Sequence, residues 1–247
     1  WGWPGLVERR FTLTEIIAGR LERALLALGE PVLLAGYCMG GLLALAAALR
    51  RPSLVRALIL LATPWDFHAE NRDDALKVAS KLPLFEPLLA ATGTLPIDAL
   101  QSLFAGVEPG SIGAKFRAFA RMDQASPAAE AFVALEDWLN DGVPLAAPIA
   151  RETMKGWYGE NLPGRGEWRI DGAPVDPAQL RCPCFVAAPA RDRIVTPASA
   201  VRLAEAISGA HLHRPAAGHI GMATGPRAEE VLWRPLLDWL RGLRTII

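Results

Sequence analysis

Apolar residues along the chain fall into short dense runs set apart by glycine and proline, and the runs switch between strand and helix character. Pro31-Val32-Leu33-Leu34-Ala35 is a continuous apolar run of strand length, and Leu42 to Leu49, rich in alanine and leucine, has the composition of a packed helix. Ahead of both, Leu13, Ile16, Ile17, Leu21, Ala24, Leu25 and Leu28 recur at helical spacing over Thr12 to Leu28. Thr12 or Thr14 is placed to cap that helix and Gly29 to close it. After a break at Arg51-Pro52-Ser53, Val55 to Thr63 reads as a second buried strand ending at Pro64-Trp65-Asp66-Phe67.

From His68 to about Glu160 the strand pattern disappears. Helix-like segments there are broken by Pro83, Pro87, Pro96, Pro109, Pro127, Pro144 and Pro148, which predicts a helical insertion over 68–160, a lid. Alternation then resumes: a strand over Cys184 to Ala188, a helix over Ala198 to Ile207, a short strand over His211 to Arg214, and a closing amphipathic helix over Arg227 to Leu243. Strand and helix alternating on both sides of the insertion predict an α/β core with a mostly parallel sheet, formed by residues 1–67 and 161–247. There is no internal repeat or low-complexity tract.

Between the first strand and its helix lies Gly36-Tyr37-Cys38-Met39-Gly40-Gly41. This is a nucleophile elbow with cysteine at its centre, a turn so tight that the nucleophile takes strained backbone angles. Gly36 and Gly40, two before and two after Cys38, are expected to keep side chains from colliding across it. Strand, elbow and helix predict an α/β-hydrolase fold. In such sheets the elbow follows the fifth strand; with Trp1 leading straight into Gly2-Trp3-Pro4-Gly5, the chain reads as a fragment whose earlier strands, and any signal they carry, are expected upstream.

A cysteine nucleophile needs a base, and the base needs a carboxylate to hold its tautomer, in the chain order nucleophile, acid, histidine. Asp192 follows the third strand and His219, between Gly218 and Ile220-Gly221, follows the fourth, so Cys38, Asp192 and His219 come off successive strand ends in that order. Asp66 is the rival acid, because it too follows a strand end. Of the four histidines, His68 is expected to enter the insertion, while His211 and His213 alternate along a short strand in structural roles. The backbone N–H of Met39, at the start of the elbow helix, is placed to bind an oxyanion.

Composition narrows the remaining classes. The 247 residues are 51% hydrophobic, enough for one large core, and 26 basic side chains balance 26 acidic ones, so charge argues for neither nucleic acid nor an anionic membrane surface. Apolar runs are far shorter than the roughly 20 residues of a membrane-spanning helix, which predicts a soluble protein. Cys182 and Cys184 lack the spacing of a zinc or redox pair and read as strand core; no metal or bound cofactor is expected. Three cysteines make no disulfide framework, and a catalytic thiol suits a reducing, cytoplasmic setting.

Taken together, the elbow, Leu60-Leu61-Ala62-Thr63-Pro64-Trp65-Asp66-Phe67, Asp192-Arg193-Ile194-Val195 and Gly218-His219-Ile220-Gly221 resemble polyhydroxyalkanoate synthases of the PhaC type over nearly the whole chain. Trp1-Gly2-Trp3-Pro4 and Tyr158-Gly159-Glu160-Asn161-Leu162 add to the likeness. The resemblance implies transfer of (R)-3-hydroxyacyl groups from acyl-CoA to a growing polyester, with Cys38 carrying the chain as a thioester under a mobile lid. Asp66 and Trp138 are then candidates for the substrate and lid region. A homodimer or a second synthase subunit would be the protein partner, and a polyester granule the place of work. The chain departs from the family at Asp192-Arg193-Ile194, where histidine is usual in the middle, and at Trp138-Leu139-Asn140-Asp141, where the family has Trp-Asn-Asp. Dienelactone hydrolases share the Gly-Tyr-Cys-x-Gly-Gly elbow, so a lidded esterase or thioesterase is the alternative, and a non-catalytic domain binding acyl-CoA or granules is a third.

Overall fold

The computed structural model describes residues 2–106 and 111–244; Trp1 and Pro109 lie outside them. Contacts divide the chain into two compact units, one of Trp1–Phe11 and Lys81–Arg151, the other of Thr12–Ser80 and Glu152–Ile247. The stretch 68–160 is therefore shared, with its central part in the first unit and its ends in the second.

The second unit holds a four-stranded sheet. A π-helical stretch Glu15–Leu21 runs into α1 (Glu22–Ala27), followed by β1 (Val32–Tyr37), α2 (Met39–Arg50), β2 (Val55–Leu61) and α3 (Arg72–Ala79). After the other unit come β3 (Cys184–Ala187), α4 (Pro197–Ala206), β4 (His211–His213), the short α5 (Gly221–Thr224) and α6 (Arg234–Arg244). The strands lie in the order β1-β2-β3-β4 and every neighbouring pair is parallel, Tyr37 opposite Leu61 and Leu61 opposite Ala187. The strand ends that carry the elbow and the Asp66 loop thus sit side by side. β2 and β3 are buried along almost their whole length, as strands covered on both faces must be. β1 is an edge strand, and Leu33 on it is half exposed.

The first helix begins with one half of a capping box: Thr12 N–H donates to the Glu15 carboxylate at 2.7 Å, whereas Thr14 makes no cap bond, and Gly29 ends the helix region at φ +75°. Glu22, almost fully buried on α1, accepts from Arg50 Nε at 2.5 Å and Arg51 Nε at 2.7 Å and so ties α1 to the end of α2. Removing either guanidinium would leave a buried carboxylate with half of its partners, so the pair of arginines acts as one fastening.

Three short features differ from the sequence expectation. Thr94–Leu95 and Leu145–Ala146 pair antiparallel inside the stretch expected to be wholly helical, and two residues are too few to show a period. Arg169–Ile170 and Ala173–Pro174 form a hairpin around Asp171-Gly172, both at positive φ, the Asp-Gly signal of a type I′ turn. The closing helix starts as a π-helical turn, Glu229–Trp233, before α6.

In the first unit, Leu82–Thr92, Ile97–Ala105, Ser111–Phe119, Pro127–Asn140 and Ala147–Arg151 are helices. Phe119 stacks on Phe132 at 4.4 Å, Lys115 pairs with Glu136 at 2.7 Å, and Arg9 Nη1 donates to the Thr92 carbonyl at 3.0 Å, fastening the N-terminal segment to this unit.

Candidate active site

The elbow is built by backbone. β1 ends at Tyr37 and α2 starts at Met39, so one residue makes the whole turn, and Cys38 takes φ 52° and ψ −126°. Its N–H donates to the Leu61 carbonyl at 2.8 Å, which pins the turn to the end of β2. A non-glycine residue at such angles carries strain of roughly 1–3 kcal/mol, which persists only where neighbours over-determine it. The glycine roles differ from the expectation. A Cβ on Gly36 would lie 2.5 Å from the Gly40 carbonyl oxygen and from Gly41 Cα, whereas one on Gly40 would meet nothing outside its own turn. The second close approach is at Gly41, where a Cβ would sit 1.9 Å from Thr63 Oγ1. Met39, first residue of α2, has an N–H with no intrahelical acceptor, aimed out of the positive end of the helix.

Asp192 and His219 meet beyond the carboxyl ends of β3 and β4. Asp192 Oδ2 lies 2.6 Å from His219 Nδ1, and Asp192 Oδ1 accepts from the N–H groups of Ile194 and Val195, each at 2.9 Å. Both side chains are buried. The loop amides fix the carboxylate, and the carboxylate fixes the ring through Nδ1, which leaves Nε2 as the nitrogen not held by Asp192; Cys38 is near enough to the imidazole to raise its pKa. Cys38 packs against Ala188, Val195 and Ala200. The Tyr37 ring lies 4.9 Å from the imidazole at a 44° tilt.

Burial alone would lower the His219 pKa, but hydrogen bonds to Asp192 and Cys38 outweigh it and raise the value to about 9. A group whose folded pKa lies above its unfolded value of about 6.5 stabilises the fold fully below that value. The contribution is lost as pH rises through about 9. The stability difference between the native protein and His219→Gln, measured by urea denaturation, is therefore expected to shrink from pH 6.5 to 9.5; a difference that is constant over this range would contradict the assignment. The chain's two tyrosines, Tyr37 and Tyr158, both hold their hydroxyl protons more tightly than usual, through burial and the nearby Cys38.

Asp66, the rival acid, is engaged elsewhere. Its Oδ1 accepts from Asn161 Nδ2 at 2.8 Å and from His68 N–H at 3.0 Å, while Asn161 Oδ1 accepts from Phe67 N–H at 2.9 Å. His68 Nε2 lies 2.9 Å from the Tyr158 carbonyl oxygen. Asn161, buried at φ 53°, is the centre of this clamp. Its sequence signal was weak: an asparagine followed by Leu-Pro-Gly. Asn161→Ala removes both side-chain bonds and leaves alanine in a left-handed conformation, an expected loss of about 2–4 kcal/mol. Asn161→Gly relieves only the backbone part, so its urea midpoint is expected between those of the native protein and the alanine variant. Trp138 lies on the Pro127–Asn140 helix of the first unit and is 62% exposed. Cys184 is buried in β3, and Cys182, half-buried, precedes it; burial raises the pKa of both thiols.

The profile of the alpha/beta hydrolase fold family matches residues 9–226. Among curated proteins, the chain is 26% identical over 249 residues to the poly(3-hydroxyalkanoate) polymerase subunit PhaC of Allochromatium vinosum, covering 97% of this chain and 69% of that one. It is 24% identical over 250 residues to the subunit of the same name from Haloferax mediterranei, covering 97% of this chain and 50% of the relative. The chain thus spans half to about two thirds of the length of these relatives. Among solved structures, a monoacylglycerol lipase of Paleococcus ferrophilus superposes with a TM-score of 0.57 at 16% identity, covering 93% of this chain and 75% of that one. The protein BpoC of Mycobacterium tuberculosis gives 0.55 at 18%, covering 96% and 78%. At such identities the structural likeness speaks for the fold alone.

Proposed function

We propose that this chain, which belongs to the alpha/beta hydrolase fold family, is the catalytic part of an acyltransferase that moves (R)-3-hydroxyacyl groups from coenzyme A to a growing polyester. The observation that carries the reading is the strained elbow cysteine, Cys38, with the hydrogen-bonded pair Asp192 and His219 near it. The curated relatives, polymerase subunits for poly(3-hydroxyalkanoate), supply the substrate class.

In this reading His219, which keeps its charge up to about pH 9, already holds on Nε2 the proton that Cys38 gives up, and Cys38 Sγ attacks the acyl carbon of the thioester. The carbon–sulfur bond to coenzyme A breaks, and the departing thiolate takes the proton back from His219. Thioester is exchanged for thioester, so the step is nearly isoenergetic, which suits a transferase. The hydroxyl of the next acceptor then attacks the Cys38 thioester while His219 removes its proton, and an ester forms as Cys38 is released. In both steps the Met39 N–H would bind the oxyanion. Asp192 holds Nδ1 as the donor, so Nε2 is the nitrogen that moves the proton. No bound cofactor enters the scheme. The place of work would be the cytoplasm, at the polyester surface; among the described residues no helix is long and apolar enough to cross a membrane.

Incubation of the protein with 3-hydroxybutyryl-CoA is expected to release coenzyme A and add one hydroxybutyryl mass at Cys38, with neither event in Cys38→Ala. Polymeric product supports the transferase. Free hydroxybutyrate alone would instead assign a thioesterase, and release that persists in Cys38→Ala would overturn the nucleophile.

A further inference from the structure

We infer that the open cleft beside Asp192 binds the phosphate groups of the acyl donor, read by Arg191 and Arg193. The inference rests on the function proposed above. The cleft, about 500 Å³, is lined by Glu70, Ala190, Arg191, Asp192, Arg193 and Pro197. That is room enough for a nucleotide-sized group. Exposure alternates along the loop: Asp192 is buried, and Arg191 and Arg193 on either side are exposed. The conformation that turns the carboxylate inward to His219 thus leaves an arginine exposed on either side of it, and both line the one cleft.

The mounting is rigid. Arg191 N–H donates to the Ala217 carbonyl at 3.0 Å and Arg191 Nη2 to the Ala216 carbonyl at 2.5 Å, while Asp192 Oδ1 accepts from the Ile194 and Val195 amides just beyond Arg193. A guanidinium group fixed in this way, as that of Arg191 is, suits phosphate, whose oxygens accept paired N–H donors. Cys38 does not line the cleft. That separation fits an acyl-CoA, whose phosphates are parted from the reacting thioester by the pantetheine arm. Two carboxylates oppose the arginines in the lining, Asp192, which is buried against His219, and Glu70; Glu70 weakens the cleft for anions and gives the proposal a variant of opposite sign.

The test compares hydroxybutyryl-CoA with hydroxybutyryl-N-acetylcysteamine, the same thioester without phosphate. In Arg191→Gln/Arg193→Gln, the KM for the CoA thioester relative to that for the short thioester is expected to rise about tenfold or more, the equivalent of losing one charge-assisted contact. Arg191→Lys/Arg193→Lys is expected to restore part of it, and Glu70→Gln to move the ratio the other way. Calorimetry of the native protein with coenzyme A, pantetheine and inorganic phosphate is independent of turnover. Coenzyme A is expected to bind more tightly than pantetheine and to lose that advantage in the double glutamine variant; binding of inorganic phosphate as tightly as coenzyme A would mean a free-anion site and overturn the assignment to the donor. Equal binding of coenzyme A and pantetheine, or a KM ratio that does not move, also overturns it. Absence of Cys38-dependent turnover with both thioesters would overturn the acyltransfer reading instead, while the calorimetric comparison still decides the cleft.

Discussion

Asp192→Asn and His219→Gln are each expected to lower acyl-transfer turnover by about 10³–10⁴-fold while leaving the fold intact. The asparagine can still accept from the Ile194 and Val195 amides through its oxygen, as Asp192 Oδ1 does at 2.9 Å. Its NH2 group then faces His219 Nδ1, at the place where Asp192 Oδ2 now lies 2.6 Å away. A donor there forces Nδ1 to accept, which puts the ring proton on Nε2, the nitrogen that must receive the Cys38 proton. Geometry survives and the tautomer is wrong. His219→Gln removes the base altogether but retains a polar side chain of similar reach. Steady-state kcat, set beside circular-dichroism melting curves, separates the chemical loss from unfolding. Asp66→Asn is the control: with Asp66 held by Asn161 and the His68 amide, it is expected to affect melting more than kcat. A kcat loss for Asp66→Asn equal to that for Asp192→Asn, with melting unchanged, would transfer the acid role to Asp66.

The parts of this site that are visible in the sequence are those built by neighbours in the chain. An apolar run, a glycine, a nucleophile and a helix-forming run occupy Pro31 to Leu49 without interruption, so local propensity and fold agree there. Asp192 and His219 are visible for a related reason, since each stands in the first loop after a short strand. What is not visible depends on residues far apart in the chain. The Asp66–Asn161 clamp joins two segments 95 positions apart. Nothing around either residue announces the other. The proximity of Tyr158 to Cys38 has the same cause, and so does the exchange of roles between Gly40 and Gly41, because the atom that Gly41 must avoid belongs to Thr63 on the neighbouring strand end. The Asp171-Gly172 hairpin is a different case: its signal was local, but strands of two residues lie below the length at which alternation can be seen.

Gly36→Ala is expected to be the most damaging single substitution in the elbow, at more than about 4 kcal/mol, and to prevent folding if the protein has no such margin. The atoms its Cβ would strike, the Gly40 carbonyl oxygen at 2.5 Å, Gly41 Cα at 2.5 Å and the Gly40 carbonyl carbon at 2.7 Å, are all backbone of the first turn of α2. Relief requires moving α2 away from β1, and that movement pulls Cys38 off the Leu61 carbonyl to which its N–H donates. Gly41→Ala provides the contrast. Its Cβ would meet the Thr63 side chain, at 1.9 Å from Oγ1, and Thr63 is fully buried with a hydroxyl that has no hydrogen-bond partner among the described residues. Trimming that side chain removes the obstacle: Thr63→Ala deletes Oγ1 and Cγ2, the two nearest of the three atoms in the way, and also removes an unsatisfied buried hydroxyl. In a double-mutant cycle Thr63→Ala is therefore expected to recover a large part of the Gly41→Ala loss and none of the Gly36→Ala loss, read as urea midpoints. Equal recovery in both would mean that the two glycines relieve the same contact. Selective recovery would mean that the strained Cys38 turn is held from two sides independently, by the backbone of its own helix at Gly36 and by the end of β2 at Gly41.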